Sequence, residues 1–165
     1  MSKTSTLLFA ATLSLASLAM PSLSGAQTSG SSGLGASGQP VAYGGDSGEY
    51  TPTGFALRGR AEITQGGNRL RADSINATTV NNSLSRVEAS GNVYFVTPEQ
   101  SIRGDRAVYT LANGEVVLTG DVILTQGRNV LTGGRLVYNV RTKTARMDSS
   151  GGGRIQGVFY PEGAN

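Results

Sequence analysis

The sequence predicts an all-β domain made of repeated strand units, and three observations support this prediction. First, apolar and polar residues alternate with a period of two in "GRAEITQ" (59–65), "GNVYFVT" (91–97) and "GDVILTQ" (120–126), as half-buried strands require. Second, each of these segments starts with a glycine and introduces a similar stretch of chain. Third, no stretch after residue 39 keeps a helical period. The domain is therefore expected to contain about three to four stacked units of roughly 30 residues each.

The repeat is defined by residues at fixed distances from Gly59, Gly91 and Gly120. The eleventh, fourteenth and sixteenth residues after each glycine correspond in the three copies: Leu70, Asp73 and Ile75; Ile102, Asp105 and Ala107; Leu131, Gly134 and Leu136. Three offsets kept in three copies are hard to obtain by chance. The copies differ in length only around residues 78–85, where a hairpin turn can absorb the extra residues.

Both ends of the array are expected to be atypical, because a terminal unit has a neighbour on one side only. At the start, an apolar residue, an aspartate and a tyrosine keep the spacing of the later copies but lack a preceding glycine strand: they are Tyr43, Asp46 and Tyr50. At the other end, "RIQGVFYP" (154–161) is expected to form a closing strand.

The tripeptide Arg103-Gly104-Asp105 is often associated with cell adhesion, but the repeat explains it better. It occupies the position of Arg71-Ala72-Asp73 in the preceding copy. The chain is expected to bend at this position, with the aspartate bonding to backbone at the bend. The tripeptide is therefore interpreted as a structural element of the repeat.

The N-terminal residues are predicted to be a secretory signal peptide at 1–26. Lys3 precedes an apolar stretch at 7–20, and Ser24 and Ala26 are the small residues expected before a cleavage site at Gln27. Residues 27–38 are nearly all Ser, Gly and other small residues, which predicts a flexible leader. The β domain is predicted at 39–161, followed by a tail at 162–165.

Composition excludes several classes of function. Without Lys3 the chain has 13 Lys and Arg against 11 Asp and Glu, a net charge of +2 that is too low and too scattered for nucleic-acid binding. The chain has no Cys and no His, which excludes disulfides, thiolate zinc sites and catalytic imidazole. We expect no enzymatic activity, metal or cofactor.

The repeated segments of this sequence resemble the OstA-like repeat of the LptA family of periplasmic lipopolysaccharide-transport proteins. The residues that carry the resemblance are Gly91-Asn92-Val93, Gly120-Asp121-Val122, Asp105 with Tyr109, Leu70-Arg71-Ala72-Asp73 and the opening "QPVAYGGD" at 39–46. The sequence departs from the family pattern at Gly134, which replaces an aspartate, and at Gly44 and Gly45, which weaken the first strand. The resemblance covers residues 39–161.

The resemblance implies an incomplete antiparallel β-jellyroll that is open at both ends and encloses an apolar trough. In the strands that start with glycine, one face carries the apolar residues Ile63, Val93, Phe95, Val122 and Leu124. A second wall is expected from Tyr109, Leu136 and Tyr138. Such a trough would bind the acyl chains of lipid A, because each buried CH₂ contributes about 0.8 kcal/mol.

The resemblance also implies partners at the two ends of the sheet. An LptC-like inner-membrane protein is expected to dock at Val41, Ala42 and Tyr43, and an LptD-like outer-membrane protein at Ile155, Val158 and Tyr160. Copies of the chain could also join head to tail through these edge strands. The expected location is the periplasm, and the expected cargo is lipopolysaccharide.

Two other classes of function remain open on the residues alone. One is a structural or adhesive β-repeat protein with a solid core and no lipid cargo. The other is a carboxylate-based glycan enzyme, which would need two acids such as Asp73 and Asp105 to face one cleft.

Overall fold

The structure, a computed structural model, describes residues 39–149 and 153–161. The predicted signal peptide, the leader and the C-terminal tail lie outside the described residues. The described residues form strands only: β1 (Ala42–Gly44), β2 (Ser47–Thr51), β3 (Gly54–Gln65), β4 (Asn68–Val80), β5 (Ser83–Val96), β6 (Ser101–Thr110), β7 (Glu115–Gln126), β8 (Asn129–Asn139), β9 (Thr144–Asp148) and β10 (Gln156–Val158).

The strands form one antiparallel sheet whose order largely follows the chain. The six long strands β3 to β8 each pair with the next one through a short hairpin. Asn81 and Asn82 form the turn between β4 and β5 with φ values of 50° and 61°, as two-residue hairpin turns require. This turn lies in the segment predicted to absorb the extra length of its repeat. Two short strands cover each end of the sheet: β1 and β2 pair with β3, and β9 and β10 pair with β8.

Each pair of long strands slips in register near its middle, and the sheet bends there. The repeat glycines occupy these points in the left-handed region, with φ values of 67° at Gly59, 76° at Gly91 and 100° at Gly120. Arg60 and Asn92, which follow two of them, share this conformation at 48°. A residue without Cβ adopts it at little cost, which explains why glycine recurs at this position.

The bends fold the sheet into two layers that face each other. We call the layers A and B. Layer A contains β1, β10 and the segments 61–72, 93–104 and 122–133; layer B contains β2, β9 and the segments 54–58, 74–90, 106–119 and 135–139. No helix or second sheet covers the inner face within the described residues, yet its apolar side chains are buried. They are buried because the two layers pack on each other, which gives the predicted open β-jellyroll.

Strand pairing arranges the core in rows that run across the strands and end at the exposed residues Tyr43 and Tyr50 on the N-terminal side. In layer A one row consists of Tyr43, Ile63, Leu70, Phe95, Ile102, Leu124 and Leu131. In layer B one row consists of Leu57, Ile75, Ala89, Ala107, Leu118, Leu136 and Met147, and a neighbouring row includes Tyr50, Val87, Tyr109, Val116 and Tyr138. Each row therefore crosses the repeats as well as the terminal strands without interruption.

The N-terminal half-repeat predicted from spacing fits these rows. Tyr43 shares a row with Ile102, and Tyr50 shares a row with Tyr109. The β1 strand forms despite Gly44 and Gly45, although it includes only the first of these glycines. The short β2 strand provides the layer B half of the same terminal unit.

The C-terminal end differs from the sequence prediction in two ways. The segment "RIQGVFYP" forms a strand only at Gln156–Val158, so Ile155 and Tyr160 flank β10 and do not belong to it. Val41 likewise precedes β1. Strand β9, which covers the layer B half of β8, was not predicted from the sequence. Its alternation is weak, because Met147 is its one buried residue, and a single apolar residue gives no period to detect.

Candidate functional site

The eight residues predicted to line an apolar trough are all buried between the layers. Their exposed fractions range from 0% at Ile63 and Leu136 to 9% at Leu124. The others are Val93, Phe95, Tyr109, Val122 and Tyr138. The structure brings the eight side chains into one buried apolar cluster, and their contact with lipid stays a prediction. In this state the cluster is a closed interior and does not form an open groove.

The interior contains further large apolar residues that the prediction did not assign to it. Leu70 and Ile102 lie beside Phe95 in its layer A row, and Leu118 lies beside Leu136 in layer B. All three are buried to 4% exposure or less. Leu70 and Ile102 were recognised as repeat positions, and the same alternation that placed Phe95 inside would have identified their faces.

The chemistry of the interior is almost entirely apolar. Within the described residues, the buried polar side chains are Gln65, Asn68 and Thr97, all at or beside hairpins of layer A. Burial raises the pKa of the Tyr109 phenol, and Arg141 partly offsets that effect. Burial and the Glu99 carboxylate raise the pKa of Tyr138, against smaller effects of Lys143 and Gln100. Both phenols are therefore neutral at physiological pH, and the interior can bind apolar groups but offers no ionised group to them.

The hairpins of the two layers meet on the side opposite the bends, and we call this line the seam. Thr97 fixes the hairpin between β5 and β6, because its Oγ1 accepts hydrogen bonds from the backbone amides of Glu99 (3.3 Å) and Gln100 (3.2 Å). Farther along layer A, the side-chain amide of Gln65 donates to the carbonyl of Gln39 at 2.9 Å. Polar side chains thus edge the apolar interior at the seam.

The repeat aspartates lie at the bends, each against the glycine of the next long strand. An added Cβ on Gly91 would lie 2.3 Å from Asp73 Oδ2, and one on Gly120 would lie 2.2 Å from Asp105 Oδ2. Asp73 accepts a hydrogen bond of 2.9 Å from the side-chain amide of Asn92. The donor to Asp73 is thus a side chain, and the backbone bond predicted for Asp105 stays a prediction. The two aspartates therefore sit at successive bends, where they pack the fold.

The N-terminal half-repeat uses the same arrangement. The Asp46 amide donates to the carbonyl of Gly59 at 2.8 Å, and the Asp46 carboxylate pairs with the Arg60 guanidinium. The hydrogen bond from Arg60 holds the pKa of Asp46 below its ordinary value. In the last copy Gly134 replaces the aspartate, and the neighbouring strand is split there into β9 and β10. A pocket of about 510 Å³, lined by polar and apolar residues alike, occupies this position.

The predicted edge residues lie at the two ends of the sheet. At the N-terminal end Tyr43 is 50% exposed and stacks on Phe55 with ring centres 4.5 Å apart, while Val41 packs against the core. The Ala42 side chain is exposed. The edge of β1 that does not pair with β3 ends the sheet path, and the β1 side chains beside it are exposed. The structure does not include a partner, so docking at this edge remains a prediction.

The C-terminal end exposes a cluster of apolar residues. Ile155, Val158, Phe159 and Tyr160 are between 44% and 75% exposed. The segment is held to β8 by three residue pairs, and the Tyr160 amide donates to Asn129 Oδ1 at 2.8 Å. Arg128 lies 4.1 Å from the centre of the Tyr160 ring, a cation–π distance.

An apolar pocket opens at this end of the interior. It has a volume of about 430 Å³ and is lined by Leu124, Gln126, Asn129, Val130, Leu131, Gly157, Val158 and Phe159. Leu124 and Leu131 are also the last large residues of the layer A core row. The apolar row therefore continues from the buried core to the surface at the C-terminal end.

The described residues contain neither a metal-type cluster of three His, Cys, Asp or Glu side chains nor a helix long and apolar enough to cross a membrane.

Comparisons with known proteins found a matching family and a relative. Residues 49–144 match the family described as LptA/(LptD N-terminal domain) LPS transport protein. An uncharacterised protein of Rhizobium meliloti (strain 1021) is 29% identical over 114 residues. That match covers 63% of this chain and 61% of the relative, so the chain spans less than two thirds of the relative's length.

A solved structure supports the fold. LptH of Pseudomonas aeruginosa, described as the LptA homologous periplasmic component of the lipopolysaccharide transport device, superimposes with a TM-score of 0.68. The match covers 74% of this chain and 96% of that structure at 22% identity. At that identity the likeness shows the shared fold.

The family match spans the part of the chain that builds the interior. It begins in β2 and ends at the first residue of β9, and it includes all six long strands and their bends. It covers more than half of the chain. The chain therefore belongs to the family of LptA and LptD N-terminal-domain lipopolysaccharide transport proteins.

Proposed function

We propose that this protein binds lipopolysaccharide in the periplasm and passes it from an inner-membrane to an outer-membrane partner. The observation that carries the proposal is the uninterrupted apolar interior, whose rows run across every long strand and reach the surface at Leu124 and Leu131. Acyl chains enclosed there would gain about 0.8 kcal/mol for each buried CH₂. The family membership and the periplasmic relative LptH support the same role.

The binding mode follows from the closed state of the interior. Because Ile63, Phe95 and Leu136 are at most 3% exposed, acyl chains can enter only if the layers separate. The side chains that pack on each other would then pack on lipid, so one apolar contact replaces another. The bends are the natural hinge of this movement, since they join the layers on one side while the seam lies on the other.

Photo-crosslinking in cells tests the proposal. A photoreactive phenylalanine analogue at Phe95 or at Leu124 is expected to form adducts with lipopolysaccharide, because both side chains face the interior. The matched control is Tyr94, the neighbour of Phe95, whose side chain is 36% exposed on the outer face. Adducts at Tyr94 that equal those at Phe95 would contradict lipid binding between the layers.

We propose further that the terminal strands connect the protein to its partners. The β1 edge would receive an LptC-like inner-membrane protein and the β10 edge an LptD-like outer-membrane protein, and two copies would join head to tail. Edge strands with unpaired backbone groups favour such strand addition. The exposed apolar side chains of Val158 and Phe159 and the pocket beside them support a docking role for the C-terminal edge.

Replacing Val158 with Pro tests the C-terminal edge. Proline removes a backbone donor and ends strand pairing, whereas Val158→Thr keeps the donor and serves as the control. We expect the Pro variant to remain folded, because Val158 is 55% exposed and β10 is only three residues long. Crosslinking to the outer-membrane partner and self-association should fall for Pro and persist for Thr. A Pro variant that still crosslinks would exclude this strand as the bridge.

A specific observation favours one alternative function. The interior is closely packed in this state, as expected for a structural β-repeat protein with a solid core and no lipid cargo. The two functions differ in the composition of the purified protein. Lipopolysaccharide that co-purifies with the chain from cells would support transport, and a lipid-free protein whose Phe95 analogue forms no lipid adduct would support the structural role.

A further inference from the structure

One ion pair joins the two layers across the seam. Lys143 Nζ lies 2.6 Å from Glu99 Oε1, and the ammonium donates a hydrogen bond to the carboxylate. Glu99 belongs to the hairpin between β5 and β6 in layer A, and Lys143 belongs to the hairpin between β8 and β9 in layer B. The other ion pairs of the described residues lie within one layer or at a bend. This pair is therefore placed where it can hold the seam closed.

A buried phenol and a buried amide donor lie beside the pair. Tyr138 is 3% exposed and lies close enough to Glu99, Lys143 and Gln100 for all three to affect its pKa. The Nε2 atom of Gln100 is buried; it makes no contact of full hydrogen-bond geometry within the described residues, although the Gln100 side chain interacts with the Tyr138 phenol. A buried amide donor whose acceptor is poorly aligned is costly, so an anionic or polar group that reached this point could accept a better hydrogen bond from it.

The pair itself can exchange partners at little cost. The Lys143 and Glu99 side chains are 50% and 54% exposed, and exposed ion pairs are weak and screened by salt. Arg141 of the same hairpin is committed elsewhere, because its guanidinium donates to the carbonyls of Leu111 (2.7 Å) and Ala112 (2.9 Å). Lys143 is thus the cation of this hairpin that is free to change its anionic partner.

We propose that the Glu99–Lys143 pair is a latch on the seam, and that Lys143 and Gln100 form the subsite for a phosphate group of the lipid headgroup. The inference rests on the proposed function, since it assigns a headgroup position to the lipid whose acyl chains enter between the layers. Glu99 occupies the position of the phosphate in the closed state. When lipid enters, its phosphate replaces the Glu99 carboxylate on Lys143 and accepts from Gln100 Nε2. Binding of lipid thereby breaks the ion pair that keeps lipid out in the closed state.

Distances between two spin labels across the seam provide the test. The chain has no Cys, so Pro98→Cys and Thr142→Cys can be labelled specifically, and both positions are exposed beside the latch. We expect phosphorylated lipid A to lengthen the label distance. About two to five times as much dephosphorylated lipid A should be needed to reach the same label distance, because an exposed ion pair contributes only that much to affinity. Inorganic phosphate alone should leave the distance unchanged.

Single substitutions in the labelled protein separate the two roles. Glu99→Gln should lengthen the distance without lipid and increase the affinity for phosphorylated lipid A by about twofold to fivefold. Lys143→Gln should also loosen the seam but should bind the two forms of lipid A equally. Arg146→Gln is the control, because Arg146 pairs with Asp148 within layer B and is 80% exposed. It should behave as the unsubstituted protein.

The outcomes distinguish this proposal from the proposed function. Binding of lipid A with no change in label distance, or equal discrimination between the lipids in Lys143→Gln and the control, would overturn the latch and leave lipid transport intact. Opening by inorganic phosphate alone would overturn the headgroup assignment. Failure of the unsubstituted protein to bind either lipid A would overturn the proposed function and the latch with it.

Discussion

Replacing Phe95 with Asp is expected to be the most damaging single change in the interior. Phe95 is 3% exposed and lies in the middle of the layer A row, between Leu70 and Ile102. Loss of a buried aromatic side chain costs about 3–5 kcal/mol, and burial of a carboxylate adds to that cost. Domains of this size have stabilities of about 5–15 kcal/mol. The substitution should therefore remove most of the stability, and with it lipid binding.

Urea unfolding followed by circular dichroism measures this effect. The control is Tyr94→Asp, one residue earlier on the outer face, which should change the free energy of unfolding by less than about 1 kcal/mol. If Phe95→Asp and Tyr94→Asp have similar unfolding midpoints, the inner-face assignment is wrong. If Phe95→Asp stays folded and still binds lipopolysaccharide, the lipid does not use this part of the interior.

Replacing Gly91 with Ala is expected to destabilise the bend by about 2–5 kcal/mol. The backbone φ of 76° is unfavourable for a residue with Cβ, which costs about 1–2 kcal/mol. The new Cβ would also lie 2.3 Å from Asp73 Oδ2, and relieving such overpacking costs about 1–3 kcal/mol. Gly127→Ala is the matched control, because Gly127 has a φ of 58° but no atom within 4 Å of the added Cβ. It should show the backbone cost alone.

A double-mutant cycle with Asp73→Gly isolates the steric part of the Gly91 effect. Glycine stands at the corresponding position of the last copy, at Gly134, so the fold tolerates it there. In the Asp73→Gly background, Gly91→Ala should cost little more than Gly127→Ala does in the unsubstituted chain. A cost of Gly91→Ala that is the same in both backgrounds would show that the aspartate does not pack against the glycine.

The sequence predicted the inner faces because strand alternation is a local property. Ile63, Phe95 and Leu124 each lie two residues from another apolar residue of the same face, and that pattern does not depend on the partner strand. The bends were also predictable, because Gly59, Gly91 and Gly120 recur with fixed spacing to their aspartates. These features account for the layers and for the residues between them.

Features that depend on the meeting of distant segments could not be predicted in this way. Glu99 and Lys143 are 44 residues apart, and neither belongs to the repeat pattern. Their contact exists because folding brings the hairpin of one layer over the other. The short strand β9 was missed because one buried methionine gives no alternation. The hydrogen bond from Asn92 to Asp73 was not predicted, because the two residues are 19 residues apart and belong to different strands.

The direction of the core rows sets how far one molecule can carry a ligand. The rows run perpendicular to the strands, and the main path of the sheet from β1 to β10 contains eight strands. Neighbouring strands lie about 4.8 Å apart, so this path is roughly 34 Å long. Each added pair of long strands would lengthen it by about 10 Å and leave both terminal strands as they are. The number of repeats therefore sets the length of the apolar path, and a longer path requires a second molecule placed end to end with the first.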